Sequence, residues 1–175
     1  RPRIGLVGGD GVQATDHGAL WHLLDRQLGI APSRRLLRDL DAGALAELDV
    51  LVLPDGDGYS RHAHPETADA LRPWLERGGV VIAVGGATRW LIDRDLLTLE
   101  IRDAEPSLDI PGIALATERG DHALGAGLAT SPAALALDDL VFEPTDDPQV
   151  DILRVRADEP LLAGTAWPGT ADHVA

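Results

Sequence analysis

The stretch Gly78–Asp93, Gly-Gly-Val-Val-Ile-Ala-Val-Gly-Gly-Ala-Thr-Arg-Trp-Leu-Ile-Asp, narrows the choice of fold more than any other. Val80 to Val84 is an unbroken apolar run. Such a run suits a central parallel strand covered on both faces. Gly85 and Gly86 follow, and glycine takes backbone angles that a β-carbon forbids. Thr88 to Ile92 then begins a helical pattern. Strand, tight turn and helix in this order lift a nucleophile above the sheet in many α/β enzymes. The pattern puts Ala87 at the top of the turn, and a methyl group cannot attack a substrate.

The chain before this stretch repeats the same alternation. Arg3–Val7 reads as a strand with Ile4, Leu6 and Val7 as core positions, and it runs into Gly8-Gly9-Asp10-Gly11. Thr15 or Asp16 is placed to cap a helix whose apolar stripe is Ala19, Leu20, Leu23, Leu24 and Leu28, closed by Gly29. Ser33–Arg38 reads as a short strand, Asp41–Leu48 as a short helix and Asp49–Leu53 as a buried strand. Pro54–His64 reads as a polar loop, and Pro65 opens a helix striped by Ala68, Leu71, Trp74 and Leu75. Strands alternating with helices predict a doubly wound parallel sheet. Ligands of such sheets bind at the carboxyl ends of the strands. The loops Gly8–Thr15, Pro54–His64 and Gly85–Arg89 therefore share one rim. The second half is less regular, with extra strands expected over Ile110–Thr117, Leu135–Glu143, Val150–Arg156 and Leu161–Trp167. A length of 175 residues fits one domain over 1–175. The start at Arg1 and the abrupt end at Ala175 lead us to expect a piece of a larger protein.

Charge and composition exclude several functions. A formal charge of −14 opposes binding to nucleic acid or to an anionic membrane. No apolar run approaches the roughly 20 residues that span a bilayer, so no membrane insertion is expected. The chain has no cysteine, which removes disulfides, thiolate metal sites and a cysteine nucleophile. All 15 basic residues are arginines, so Schiff-base chemistry and a phosphate-loop lysine are also absent.

Several rim residues have side chains that could do chemistry. The Gly8–Gly11 loop lies between a strand and a helix, where backbone amides can hold phosphate. Its spacing departs from the dinucleotide fingerprint, because the third glycine position is Ala14, and Asp10 and Asp16 repel phosphate. Asp57, His62 and His64 are the candidate metal ligands, with Asp55 in the same loop. The same residues suit an ordinary exposed loop, and no His-x-x-Glu pair accompanies them. Ser60 beside these histidines lacks an elbow to activate it. Arg89 can hold an anionic group as a fork donor or can serve as a plain surface charge. Asp10, His17, Asp55, Asp57, Thr88 and Arg89 form the candidate ligand site. An acidic rim favours cationic or hydroxyl-rich ligands. Trp21, Trp74, Trp90 and Trp167 read as packing residues.

The strand order, the elbow at Gly85-Gly86-Ala87 and the segment Asp121-His122-Ala123-Leu124-Gly125-Ala126-Gly127-Leu128 resemble class I glutamine amidotransferase-like domains. This resemblance implies a flavodoxin-like doubly wound sheet with extra strands in the second half. The stretch Gly9–Trp21 is similar to the start of the amidotransferase-like module found C-terminal to bacterial zinc carboxypeptidase-like domains. That narrower likeness implies an accessory domain without its own cofactor. Zinc would sit in a separate peptidase domain of the same parent chain. The partner would be that domain or a second copy, and the protein would be periplasmic or secreted. The family places cysteine at the elbow, where this chain has Ala87. His64-Pro65-Glu66 resembles the other half of the family's triad but precedes the elbow in the chain. Triad glutaminase chemistry is excluded, because no acyl-enzyme forms without a nucleophile. Two other classes compete with the accessory module. One is a stand-alone hydrolase or metal enzyme using the rim Asp and His residues; the other is a structural dimerisation module.

Overall fold

A computed structural model describes residues 1–102, 112–136, 140–145, 147, 149–165 and 170. The chain divides into two compact units, Arg1–Thr98 and Leu99–Ala175, where the length alone suggests one domain. Each is described by itself.

The first unit is α/β. Strands β1 (Ile4–Gly8), β2 (Ser33–Leu36), β3 (Val50–Leu53) and β4 (Val80–Ala83) form a parallel sheet in the order β2-β1-β3-β4. Helix α1 (Ala14–Trp21) continues as a π-helical turn over His22–Gln27. Then come α2 (Ala42–Ala46), α3 (Tyr59–His62), α4 (Thr67–Glu76) and α5 (Gly86–Asp93). The parallel sheet and its alternating helices agree with the flavodoxin-like expectation.

In a strand, successive side chains point to opposite faces. In register, Val7, Leu51, Leu53, Val81 and Ala83 share one face, and Leu6, Val52, Val80 and Ile82 share the other. The first face belongs to the main core. There Leu45 of α2, Tyr59 of α3, Leu71 and Trp74 of α4, and Trp90 and Leu91 of α5 pack together. Trp74 also donates its indole N–H to the Leu48 carbonyl at 3.2 Å. Asp41 caps α2 by accepting the Ala44 N–H at 2.7 Å.

Three expectations need correction here. Among the described residues β4 is an edge strand, not a central one, and Val80, Ile82 and Val84 are 50%, 50% and 40% exposed. A continuous apolar run shows that a strand is apolar on both sides, but not how many layers cover it. Neither Thr15 nor Asp16 caps α1. The helix begins after Gln13, whose backbone N–H is anchored on the Asp55 carbonyl at 2.8 Å. The apolar stripe of α1 contributes no fully buried residue, and Leu23 and Leu28 are exposed.

The second unit is a small antiparallel sheet. β5 (Ile113–Arg119) pairs with β6 (Ala133–Ala136), β7 (Leu153–Val155) and β8 (Leu161–Ala163). An extra antiparallel sheet in the second half agrees with the expectation; β5, β7 and β8 fall within or across the expected stretches, whereas β6 overlaps the expected Leu135–Glu143 only at Leu135 and Ala136, and Phe142 makes an isolated bridge to Ile101. Ile113 and Leu115 form its core with Ala136, Val141 and Val155. Arg102 and Glu143 pair as a two-pronged fork, both bonds at 2.9 Å. Glu143 holds the Arg102 guanidinium above its ordinary pKa. Positions 110–111, 137–139 and Trp167 lie outside the described residues. The segment resembling the amidotransferase motif forms a short 3-10 turn over Ala123–Gly125, capped by His122 Nδ1 accepting the Leu124 N–H at 3.0 Å.

Candidate functional site

Because β1, β3 and β4 run parallel, the turns at their carboxyl ends meet on one rim. Glycine lets them meet closely. A β-carbon on Gly56 would collide with the Gly11 carbonyl oxygen and lie 2.8 Å from Val12 Cα. One on Gly86 would collide with the Gly56 carbonyl oxygen. The Gly58 N–H donates to the Gly11 carbonyl at 3.2 Å, which ties the first turn to the second. The glycine-rich turn after β1 thus docks against the next loop, and Gly9 and Gly11 take positive φ of 92° and 89° to do so.

The elbow is displaced from the position expected of it. The residue in the strained conformation is Gly85, with φ 53° and ψ −123°. Ala87 is two residues further on, inside α5, and its methyl is fully buried in the main core. The position from which an elbow side chain would project is therefore a glycine. Its place is already filled. A β-carbon on Gly85 would collide with Asp55 Oδ1 and lie 2.6 Å from Asp55 Cγ. Asp55 Oδ1 accepts the Gly86 N–H at 2.7 Å and the Gly56 N–H at 2.8 Å. Its second oxygen takes no hydrogen bond among the described residues, so it can accept one from a ligand.

Beneath the turn lies Tyr59, which the sequence pattern assigns to a loop. It is buried, donates its hydroxyl to the Pro54 carbonyl at 2.6 Å, and stacks at a tilt 5.8 Å from Trp90. Burial, and secondarily the charge of Asp55, pushes its phenol well above the ordinary range. Its only sequence signal is a lone tyrosine after Gly58, in a helix of four residues that is too short for periodicity to reveal.

The other predicted site residues are distributed along the rim. His17 is half-buried on α1, and its Nδ1 lies 2.8 Å from the Val7 carbonyl. A carbonyl only accepts, so Nδ1 carries the proton and Nε2 holds the lone pair in the neutral ring. Asp10, Asp57 and Arg89 are exposed, and none makes an ion pair among the described residues. Thr88 is half-buried, and its backbone N–H bonds the Gly85 carbonyl at 2.9 Å. His62 packs against Gly11 and Gly58, whereas His64 accepts the Glu66 N–H on Nδ1 at 3.3 Å. That bond occupies one of the two His64 nitrogens. Among the described residues no three His, Cys, Asp or Glu side chains converge as a metal cage.

No family model and no curated protein matches the chain. Solved structures do. A ThuA-like protein from Bacteroides uniformis superposes with a TM-score of 0.60 at 12% identity, over 94% of this chain and 75% of that one. A GMP synthase subunit from Thermoplasma acidophilum gives 0.53 at 14% identity, over 81% and 67%. A DJ-1 superfamily protein from Agrobacterium tumefaciens gives 0.45 at 14% identity over 58% of this chain, which spans 63% of that relative's length. The fold is thus a flavodoxin-like α/β fold, shared with these solved structures.

Proposed function

We propose that this chain is an amidotransferase-like module without elbow catalysis, serving as the accessory or ligand-binding domain of a zinc carboxypeptidase-like protein. The observation that supports this reading best is the elbow itself. Gly85 offers no side chain, the Asp55 carboxylate fills the space above it, and the chain holds no cysteine. An acyl-transfer reaction needs a nucleophile at that point. The polar groups around it remain suited to binding. Asp10, Asp55 and Asp57 are carboxylates without ion-pair partners among the described residues, and His17 presents a preset imidazole. Such a rim favours cationic or hydroxyl-rich ligands over phosphates. The peptidase domain, with its zinc, would lie outside this chain.

A thermal-shift screen of amines, amino-sugars and polyols, repeated on Asp10→Ala and Asp55→Ala, tests the binding role. A hit lost in both variants supports it; no hit at millimolar concentration counts against it. The reading frame upstream of Arg1 tests the context, since a start codon in place of a peptidase domain would dismantle the carboxypeptidase assignment.

A further inference from the structure

We propose that the open edge of β4 pairs antiparallel with β4 of a second copy of this chain, joining two parallel sheets across a two-fold axis at Ile82. Such a pairing stands whether or not the rim binds a ligand. Among the described residues β4 pairs with β3 on one side and with nothing on the other. The phase of its hydrogen bonds decides which backbone groups are left over. The Val80 N–H bonds the Asp49 carbonyl at 3.1 Å, and the Val84 N–H bonds the Leu53 carbonyl at 3.0 Å. Successive residues of a strand alternate, so Ile82 shares that phase, and Val81 and Ala83 turn their N–H and C=O groups to the open side.

That phase fixes a self-complementary register. With two copies antiparallel about Ile82, Val81 of one faces Ala83 of the other, and each such pair can exchange both of its backbone bonds. Ile82 then meets Ile82 of the second copy, and Val80 meets Val84. Val80, Ile82 and Val84 are the residues left 50%, 50% and 40% exposed on the reverse face. Directly opposed side chains lie ~5 Å apart, so the pairing covers them as one apolar strip. Gly78 and Gly79 of one copy fall beside Gly85 and Gly86 of the other, so neither end of the strand adds a side chain to the contact.

Charge and the makeup of the strand favour a second copy as the occupant. The chain carries a formal charge of −14, yet no charged residue lies between Gly78 and Thr88. Two copies can therefore meet here without bringing like charges together. Exposed edge strands are ordinarily protected by a charge, a proline or a bulge. β4 has none of these: Val-Val-Ile-Ala pairs with β3 in unbroken register. A strand this short makes a small contact, so the pairing is weak and reversible. Dilute protein is then monomeric, with Ile82 half exposed.

Sedimentation equilibrium of the wild-type chain, of Ile82→Glu and of Ile82→Arg tests this. The wild-type protein should form dimers as its concentration rises to about 1 mM. Each charged variant should associate at least tenfold more weakly, because the axis sets like charges directly opposite each other. An equimolar mixture of the two variants should dimerise again, since the introduced carboxylate then faces the introduced guanidinium. A wild-type protein that stays monomeric, variants that dimerise alone, or a mixture that stays monomeric each overturn the proposal. If either variant fails to fold, amide hydrogen exchange of the wild-type protein reads the same edge. The Val81 and Ala83 amides should slow as concentration rises, and more than those of Val80 and Ile82, which β3 already holds. Exchange at Val81 and Ala83 that ignores concentration overturns the proposal, whether it is fast (an uncovered edge) or slow (an edge covered by the chain itself).

Discussion

The two faces of the parallel sheet carry similar side chains and differ in what covers them. Val7, Leu51, Leu53, Val81 and Ala83 face α2, α3, α4 and α5 and join one continuous core. On the reverse face Leu6 and Val52 are buried, but Val80 and Ile82 on the neighbouring strand, and Val84 just after it, are half exposed. The His17 ring of α1 lies against Gly8 on that reverse face, yet α1 contributes no fully buried residue. Apolar character is therefore a poor measure of stabilisation here, because the free energy follows the area removed from water. The elbow belongs to the well-covered face, through Ala87, Tyr59 and Trp90.

The largest expected effect separates the faces directly. Leu53→Ala opens a cavity in the covered core and should lower unfolding stability by about 3 kcal/mol. Ile82→Ala removes a side chain that is already half exposed and should lower it by less than about 1 kcal/mol. Urea unfolding of both variants checks the contrast. Equal losses would mean that the β4 face is covered in solution.

The elbow ranks next. Gly85→Ala forces a β-carbon to φ 53° and against the Asp55 carboxylate. A strained backbone of this kind costs on the order of 2 kcal/mol. Gly86→Ala meets the Gly56 carbonyl from a helical position, so it tests collision without positive φ. If Asp55→Gly does not recover part of the Gly85→Ala loss, the carboxylate is not the obstacle.

This ranking also shows what can be read from residues alone. The alternation of apolar runs and helical stripes over Arg3–Ile92 is enough to predict the parallel sheet, because β1, β3 and β4 are short, largely apolar and followed closely by glycine or proline; β2, Ser-Arg-Arg-Leu, is legible only from its place between two helical stretches. The glycines also mark the rim. The position of the nucleophile point is not readable. Val-Gly-Gly-Ala-Thr contains two glycines, and which of them takes the strained angles depends on where β4 stops pairing with β3, a tertiary fact. Asp55 is recognisable as a rim carboxylate, but its commitment to the Gly86 amide spans 31 positions of chain. No local pattern carries such a contact. The exposure of β4 is hidden for the same reason, since coverage is decided by elements distant in sequence. Among the described residues the metal candidates do not converge as a set of three; His62 lies against Gly11 and Gly58, and His64 Nδ1 accepts the Glu66 N–H of its own loop.

A smaller effect is expected beneath the elbow. Tyr59→Phe leaves the buried Pro54 carbonyl without its donor and should cost about 1 kcal/mol. The ring contact with Trp90 is kept, so a larger loss would mean that the hydroxyl, not the ring, organises this part of the covered face. The sign with pH is fixed by the direction of the shift. A phenol whose pKa is raised on folding contributes stability below its ordinary value near ~10, and that stability fades as pH rises beyond it. Tyr59→Phe should therefore flatten the alkaline limb of the stability curve.

The smallest effect belongs to neither face. At the end of the sheet opposite the rim, Asp49 accepts the Arg3 backbone N–H at 2.7 Å and pairs with its guanidinium at 2.7 Å. The bond from the Arg3 side chain, then that from its backbone, lowers the Asp49 carboxyl to about 2. A depressed folded pKa means stability that is present above the unfolded value near ~3.9 and lost as pH falls towards the folded one. Both groups are solvated, so the contribution is small and salt-sensitive. Asp49→Asn keeps an acceptor for the backbone N–H and removes the charge. Its urea midpoint should lie slightly below the wild-type value at pH 5, and the two should converge as pH approaches 2. A difference that persists unchanged at pH 2 would show that Asp49 acts through the neutral hydrogen bond to Arg3. The ion pair would then contribute nothing to either face of the sheet.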